Sequence, residues 1–343
     1  MAPIREIDVG EARTRYARGW HCLGLTKTFK DGKPPHSVHA FGTKLVVWAD
    51  TNGDIKILDA YCRHMGGDLS QGEVKGDDIA CPFHDWRWSG TGKCADIPYA
   101  RRVPPLARTR AWISTEKHGQ LFVWNDPPEG NPPPPEVTLP DIEHYGTDEW
   151  TDWTWNQILI EGSNCREIID NVVDMAHFFY IHYAFPTFFK NVFEGHVAEQ
   201  FLNTRGRPDK GDVHAVRAGV DPRVVRGVLR AVLHDQPMTN SYGGYKVESV
   251  LINCHYPPIT QDSFMLQYGI IVKKPTGMTD EQSDKMAAKF TEASVRASCR
   301  TSRSGRTRPR SRIRSCARRT GRSTSCAAGT SSSTSTSPTS PTR

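Results

Sequence analysis

Hydrophobic and polar positions follow different rhythms in successive parts of this chain. From about Gly19 to Asn125 the apolar residues come in short runs, such as Lys44-Leu-Val-Val-Trp-Ala, Asp54-Ile-Lys-Ile-Leu-Asp and Gly119-Gln-Leu-Phe-Val-Trp. The runs are rich in β-branched and aromatic residues and are set off by Gly, Asn or Asp, so they predict strands. Residues 14–126 therefore read as an antiparallel β domain. Pro127-Pro-Glu-Gly-Asn-Pro-Pro-Pro-Pro-Glu then breaks regular structure, and 127–148 reads as a stiff linker. A new pattern starts near Glu149. Asn164-Cys-Arg-Glu167 has the spacing of a helix capping box, and the apolar periodicity from Ile168 to Ile181 predicts a helix. Val247 to Cys254 and Ser263 to Val272 predict strands, which makes 149–292 an α+β domain.

The last segment has no such pattern. From Ala293 to Arg343 there is no Asp, Glu, Leu, Phe, Trp or Tyr, but there are 12 Arg. The whole chain carries a formal net charge of +6, so without those 12 arginines it stands at −6 and the basic pI belongs to the tail. Three readings of 293–343 compete: a disordered basic segment, a nucleic-acid arm, or translation in a shifted frame. The shifted frame is preferred. With TCx serine codons, a one-base shift over Ala297 to Ser302 permits Phe-Leu-Pro-Asp-Val, and an excess of Arg, Ser, Thr and Ala is what a wrong frame of a GC-rich gene yields. Residues 206–240 are also atypical, with no aromatic residue. No nucleic-acid partner is expected.

No run of about 18 apolar residues occurs, so no membrane span is expected. The N-terminal segment has acidic residues and no apolar core of a signal peptide. Nine cysteines, an odd number without framework spacing, then point to reduced thiols and metal ligands in the cytoplasm.

Two constellations carry chemistry. Tyr61-Cys-Arg-His-Met-Gly-Gly-Asp and Ala80-Cys-Pro-Phe-His-Asp-Trp-Arg-Trp supply C-x-H and C-x-x-H, with Cys62, His64, Cys81 and His84 as candidate ligands. Thiolate and imidazole together suit zinc or an iron-sulfur cluster. Structural zinc sites space paired ligands by two to four residues, so C-x-H is tight for zinc. In a Rieske cluster two His replace two Cys on one iron. A metal-free structural role is the third reading. Asp85 is a candidate to orient a ligand from behind, and Trp86 and Trp88 read as packing.

The second constellation is Asn171-Val-Val-Asp-Met-Ala-His-Phe-Phe-Tyr-Ile-His. Asn171, Asp174 and His177 are three apart and would share a helix face. His177 and His182 are five apart, about 140° around a helix. Both reach one metal only if the helix ends, or takes a π-type turn, between them. Two His and a carboxylate leave open positions on Fe(II) for O2. The alternative is a pair of histidines in an aromatic core beside Phe178, Phe179 and Tyr180.

The strings Cys62-Arg-His-Met-Gly-Gly-Asp-Leu-Ser and Cys81-Pro-Phe-His-Asp-Trp-Arg-Trp, with D-x-x-H-x-x-x-x-H at Asp174, His177 and His182, resemble the Rieske non-haem iron oxygenases. Within that family they are most similar to the 3-ketosteroid 9-alpha-hydroxylases. The likeness runs from Thr14 to Leu202 and resumes from Ser241 to Glu292. It implies an antiparallel β Rieske domain followed by an α+β, helix-grip-like catalytic domain. It implies one 2Fe-2S cluster on Cys62, His64, Cys81 and His84, and one Fe2+ on His177 and His182. It also implies a homotrimer in which Asp174, supported by Asn171, bridges to a neighbour's cluster histidine and carries the electron. An NADH-dependent flavin and iron-sulfur reductase, O2 and a steroid substrate follow from the same resemblance, with another arene or sterol as the alternative substrate. The family's third iron ligand is a carboxylate about ten residues beyond Glu292, and this chain has none there. The chain as written is therefore expected to oxygenate weakly or not at all, as an electron carrier without catalytic iron would.

Overall fold

The computed structural model describes residues 16–32, 35–127, 130–139, 141–162, 165, 174–180, 184–194, 197–206, 238–242, 245–254, 257–303 and 325–326. The first half opens with strand Gly19–Leu25 (β1) and a one-turn helix, Thr26–Phe29 (α1). His36–Ala40 (β2), Thr43–Ala49 (β3) and Ile55–Asp59 (β4) follow. Then come Glu73–Lys75 (β5), Asp78–Ala80 (β6), Arg87–Trp88 (β7) and Cys94–Asp96 (β8). Ser114–Lys117 (β9) and Gln120–Asn125 (β10) complete it. These strands form three antiparallel sheets, β1-β10-β9, β2-β3-β4 and β5-β6-β7-β8.

β3 shows why the predicted strands form where they do. Side chains alternate across a strand, so one buried on both faces reads as an unbroken apolar run. Leu45 and Val47 enter one core with Ile57, Leu121 and Val123. Val46 and Trp48 enter a second core with Leu58, Leu69, Ile79, Trp88, Cys62 and Cys81. Each fully buried Val or Leu contributes roughly 1.5–3 kcal/mol. The second core is the floor beneath the candidate ligands.

Among its described residues the proline run forms no helix or strand, as its composition predicts. It is nonetheless strapped along the sheet: the indole of Trp20 donates to the carbonyl of Val137 (3.2 Å), that of Trp124 to Asn131 (2.8 Å), and Lys117 Nζ to Leu139 (2.6 Å).

The second half holds Thr154–Glu161 (β11), helix Met175–Tyr180 (α2), Ala184–Glu194 (β12) and Val197–Gly206 (β13). Met238–Tyr242 (β14), Tyr245–Cys254 (β15), Pro258–Thr260 (β16) and Ser263–Val272 (β17) follow. Helix Asp280–Arg303 (α3) and Ser325–Cys326 (β18) end the described chain. One sheet runs β14-β15-β17-β11-β18 with β16 also on β17, and β12 pairs with β13. The α+β character expected of this half is therefore present. Thr279 and Gln282 exchange hydrogen bonds as a capping box that starts α3. Ala287 and Phe290 pack the helix onto Ile270 and Val272. No Gly or Pro occurs between Glu292 and Arg303, and α3 continues through that stretch into the basic tail. Most of the atypical 206–240, and the rest of the tail apart from Ser325–Cys326, lie outside the described residues.

The two halves share buried polar contacts. Gln267 of β17, 1 % exposed, donates to the carbonyl of Cys22 on β1 (2.9 Å) and accepts from Gln157 of β11 (3.0 Å). The backbone N–H groups of Phe41 and Gly42 donate to Pro258 (2.6 Å) and Ile259 (2.8 Å). Among the described residues, no helix is long and apolar enough to cross a membrane.

Candidate metal centres

Two loops meet at one end of the first half. Each is closed by backbone hydrogen bonds through its cysteine. Cys62 N donates to Gly67 O (2.8 Å) and Gly66 N to Cys62 O (2.8 Å). Cys81 N donates to Trp86 O (2.9 Å) and Asp85 N to Cys81 O (3.0 Å). Gly66 (φ 73°) makes the first turn left-handed, and Asp85 (φ 57°) the second. Asp tolerates that conformation better than most residues. The Asp85 carboxylate pairs with Lys75 Nζ at 2.7 Å, which anchors the loop to β5.

The four candidate ligands divide two and two. Cys62 and Cys81 are 2 % and 4 % exposed and sit in the second core. His64 and His84 are exposed at the tip, with ring centroids 4.7 Å apart. Among the described residues no three His, Cys, Asp or Glu side chains converge on a single ion position. Burial pushes the Cys81 thiol up, and the nearby Cys62 sulfur pushes the same way, while backbone N–H groups of Phe83 and His84 act against them. Burial and the neighbouring sulfur both oppose the thiolate form of Cys81, and a bound metal cation would offset them.

Aromatic side chains frame the histidines. Trp86 lies flat on His64, with centroids 4.5 Å apart and planes 5° apart, and its indole donates to Tyr99 Oη (2.6 Å). Trp88 is fully buried beneath the loops, and its indole N–H reaches the sulfur of Cys62 at 3.3 Å. The packing roles read from the sequence omit that polar contact. A bulky aromatic after a ligand loop was the available signal, but which sulfur the N–H meets depends on the fold.

Gly67 makes the ligand loops fit together. A Cβ there would sit 2.6 Å from Cys81 Sγ and 3.1 Å from Phe83 Cγ. Gly67→Ala is therefore expected to lower iron and acid-labile sulfide per chain while leaving the far-ultraviolet circular dichroism unchanged. Native metal content in that variant would show that the two loops can separate.

The second centre lies at the start of α2. A single helix from Ile168 to Ile181 is the expectation; residues 166–173 and 181 lie outside the described residues, and the structure departs from the expectation at Asp174. Asp174 stands outside α2 and caps it, its Oδ1 accepting from the backbone N–H of Ala176 (3.1 Å) and His177 (3.3 Å). A short carboxylate side chain competes for those N–H groups and so favours the cap over the helix interior. Asp174 Oδ2 is buried with no hydrogen-bond partner. His177 is 7 % exposed, and its Nδ1 meets the carbonyl oxygen of Asp174. Burial holds its pKa below the usual histidine value, against the pull of Asp174. A neutral imidazole whose Nδ1–H donates to a backbone carbonyl is the tautomer that ligates a metal through Nε2. The helix is described as far as Tyr180, and β12 begins at Ala184. His182 and Asn171 lie outside the described residues.

Comparison with known proteins places these loops in context. Residues 19–107 match the Rieske 2Fe-2S domain, and residues 123–298 match the 3-ketosteroid 9alpha-hydroxylase C-terminal domain. The "3-ketosteroid-9-alpha-monooxygenase, oxygenase component" of Rhodococcus rhodochrous is 77% identical over 294 residues, covering 85% of this chain and 76% of that protein. This chain belongs to the 3-ketosteroid 9-alpha-hydroxylase family of Rieske oxygenases. The family's protein from Mycobacterium tuberculosis (strain ATCC 25618 / H37Rv) is 60% identical over 289 residues, covering 84% of this chain and 74% of that protein. A crystal structure of dicamba monooxygenase with non-haem iron and dicamba shares the fold at TM-score 0.55 and 16% identity, covering 88% of this chain and 95% of that one.

The matched Rieske domain is a 2Fe-2S domain, and the dicamba monooxygenase structure holds a non-haem iron. The residues of this chain fit the first group: an inward pair of thiols, an outward pair of imidazoles, and a glycine where a methyl group would meet a sulfur. At the second, the described residues offer a buried imidazole and a carboxylate oxygen without a partner.

Proposed function

We propose that this chain is the oxygenase component of a two-component monooxygenase that hydroxylates a 3-ketosteroid at the 9-alpha position, with O2 and electrons from an NADH-dependent reductase. The observation that carries the reading is the pair of cysteine-closed loops, with their ligands split two inward and two outward, in a chain of this family. Cys62 and Cys81 would hold one iron of the cluster, and His64 and His84 the other. His177 and His182 would hold the Fe2+, with Asn171 and Asp85 supporting their respective centres. When bound, the cluster stores one electron and the Fe2+ activates O2. The protein orients the steroid, excludes water and positions Asp174.

Asp174 would bridge to a cluster histidine of a neighbouring copy in a homotrimer. Its Oδ1 is committed to the helix cap, and its Oδ2 has no partner among the described residues. Two exposed apolar patches support the ring. Tyr61, Met65 and Phe83 are exposed on or beside the two ligand loops, and Met175, Tyr180, Phe185 and Phe188 are exposed on α2 and β12. Unlike patches that pair between copies make a head-to-tail contact, which closes a ring when the rotation allows. A cytoplasmic location is supported by the buried thiols of Cys22, Cys62, Cys81 and Cys94, none of them in a disulfide.

The test is turnover by a chain whose segment beyond Glu292 is replaced by one bearing a family-type carboxylate. With reductase, NADH, O2 and a 3-ketosteroid, a product hydroxylated at carbon nine is expected. No product from a chain loaded with both metal groups would sink the steroid assignment, and turnover of an arene instead would name the alternative.

A further inference from the structure

We propose that Trp88 raises the reduction potential of the 2Fe-2S cluster by donating its indole N–H to the sulfur of Cys62. The inference rests on the cluster ligands assigned above.

An indole nitrogen only donates, and a buried one needs an acceptor. Trp88 is 0 % exposed, and the acceptor in reach is Cys62 Sγ at 3.3 Å. The side chain is locked by the core it shares with Val46, Leu58, Leu69 and Ile79, so the donor cannot turn away. Trp86, two residues earlier, sends its own N–H outward to Tyr99. Of these two indole N–H groups, one therefore addresses Tyr99 and the other the Cys62 sulfur.

Reduction adds one electron to the cluster. No bond to the protein forms or breaks, and the indole proton stays on Nε1. The sulfur becomes more negative, so the same N–H interacts more strongly with the reduced state than with the oxidised one. Hydrogen bonds to cluster sulfurs are a recognised lever on potential. Cys81 already faces the backbone N–H groups of Phe83 and His84. Trp88 brings a side-chain donor to the other thiolate, and a side chain is open to substitution where a backbone is not.

The experiment uses the native chain with its cluster and two variants, Trp88→Phe and Trp88→β-(3-benzothienyl)alanine. The second keeps the bicyclic shape and replaces the N–H with sulfur. Iron, acid-labile sulfide and the reduced-state EPR spectrum are measured first, then the midpoint potential. At full cluster content both variants are expected to show a midpoint lower by about 59 mV, a tenfold shift in a one-electron equilibrium. An unchanged midpoint in the benzothienyl variant at full cluster content overturns the proposal. If neither variant holds a cluster, native protein labelled with indole-15N tryptophan decides the matter. A 15N coupling on the reduced cluster supports the bond, and its absence overturns it. A native chain that binds no iron or sulfide overturns the ligand assignment itself, a result separate from any effect at position 88.

Discussion

Cys81→Ser is expected to abolish the iron-sulfur chromophore and the EPR signal of the reduced protein. Residues that merely orient a metal ligand are worth roughly 10–100-fold in affinity, and a ligand is worth more. The reason lies in the site. Cys81 Sγ is buried, faces the Cys62 sulfur and receives backbone N–H groups, so the pocket is shaped for a large, soft, negatively charged atom. A hydroxyl is smaller, harder and far less acidic, and it does not bridge to iron in the same place. Cys94→Ala supplies the comparison. Cys94 is another buried thiol of the same core, with its pKa pushed up to about 11 chiefly by burial, and its sulfur donates to the carbonyl of Asp96. That variant is expected to keep the cluster. If both variants lose it, core packing decides cluster retention. If Cys81→Ser keeps a Rieske spectrum, the ligand assignment is wrong. Iron and sulfide assays with EPR separate these cases.

The chain as written is expected to bind about two irons rather than three, all in a Rieske-type cluster. Two imidazoles hold Fe2+ weakly without an anionic third ligand, and no Asp or Glu follows Glu292. The match to the family's C-terminal domain ends at residue 298, close to where the tail becomes rich in arginine. Restoring a carboxylate-bearing segment is expected to raise the count to about three and to switch oxygenation on. Steroid hydroxylation at full rate by the unaltered 343-residue chain would show that another group completes the iron site. Because the metal count is read without substrate, it tests the site independently of the steroid assignment.

Much of the first centre was legible because its signal is local. C-x-H and C-x-x-H put thiolate and imidazole at fixed spacings, and the apolar run at 54–59 names β4, the strand that leads into the first ligand loop. The inward and outward sorting of the ligands was not legible, since it depends on which face of the sheet each loop leaves. Trp88 is the clearest case: its type was readable, but its polar contact depends on the pairing of β7 between β6 and β8. At the second centre, apolar periodicity predicted one helix through Asp174. The carboxylate instead captured the N–H groups of Ala176 and His177, a side-chain competition that periodicity does not register. The strapping of the proline run was equally hidden, because it uses backbone carbonyls of that run and side chains far away in sequence.

Gln267 has a bearing on how such enzymes can be recombined. Its amide spans from the carbonyl of Cys22 to the amide of Gln157 in a buried seam, and Gly24 opposite leaves only 3.3 Å between an added Cβ and the Gln157 nitrogen. The electron-storing half is therefore not a cartridge that can be excised at the prolines and replaced. A chimera with another N-terminal half must keep the carbonyl of residue 22 in the same place and a small residue at 24, or it leaves a buried glutamine without its partner. Shuffling partners must share this seam, and crossover points inside β1 are safer than crossovers in the proline run.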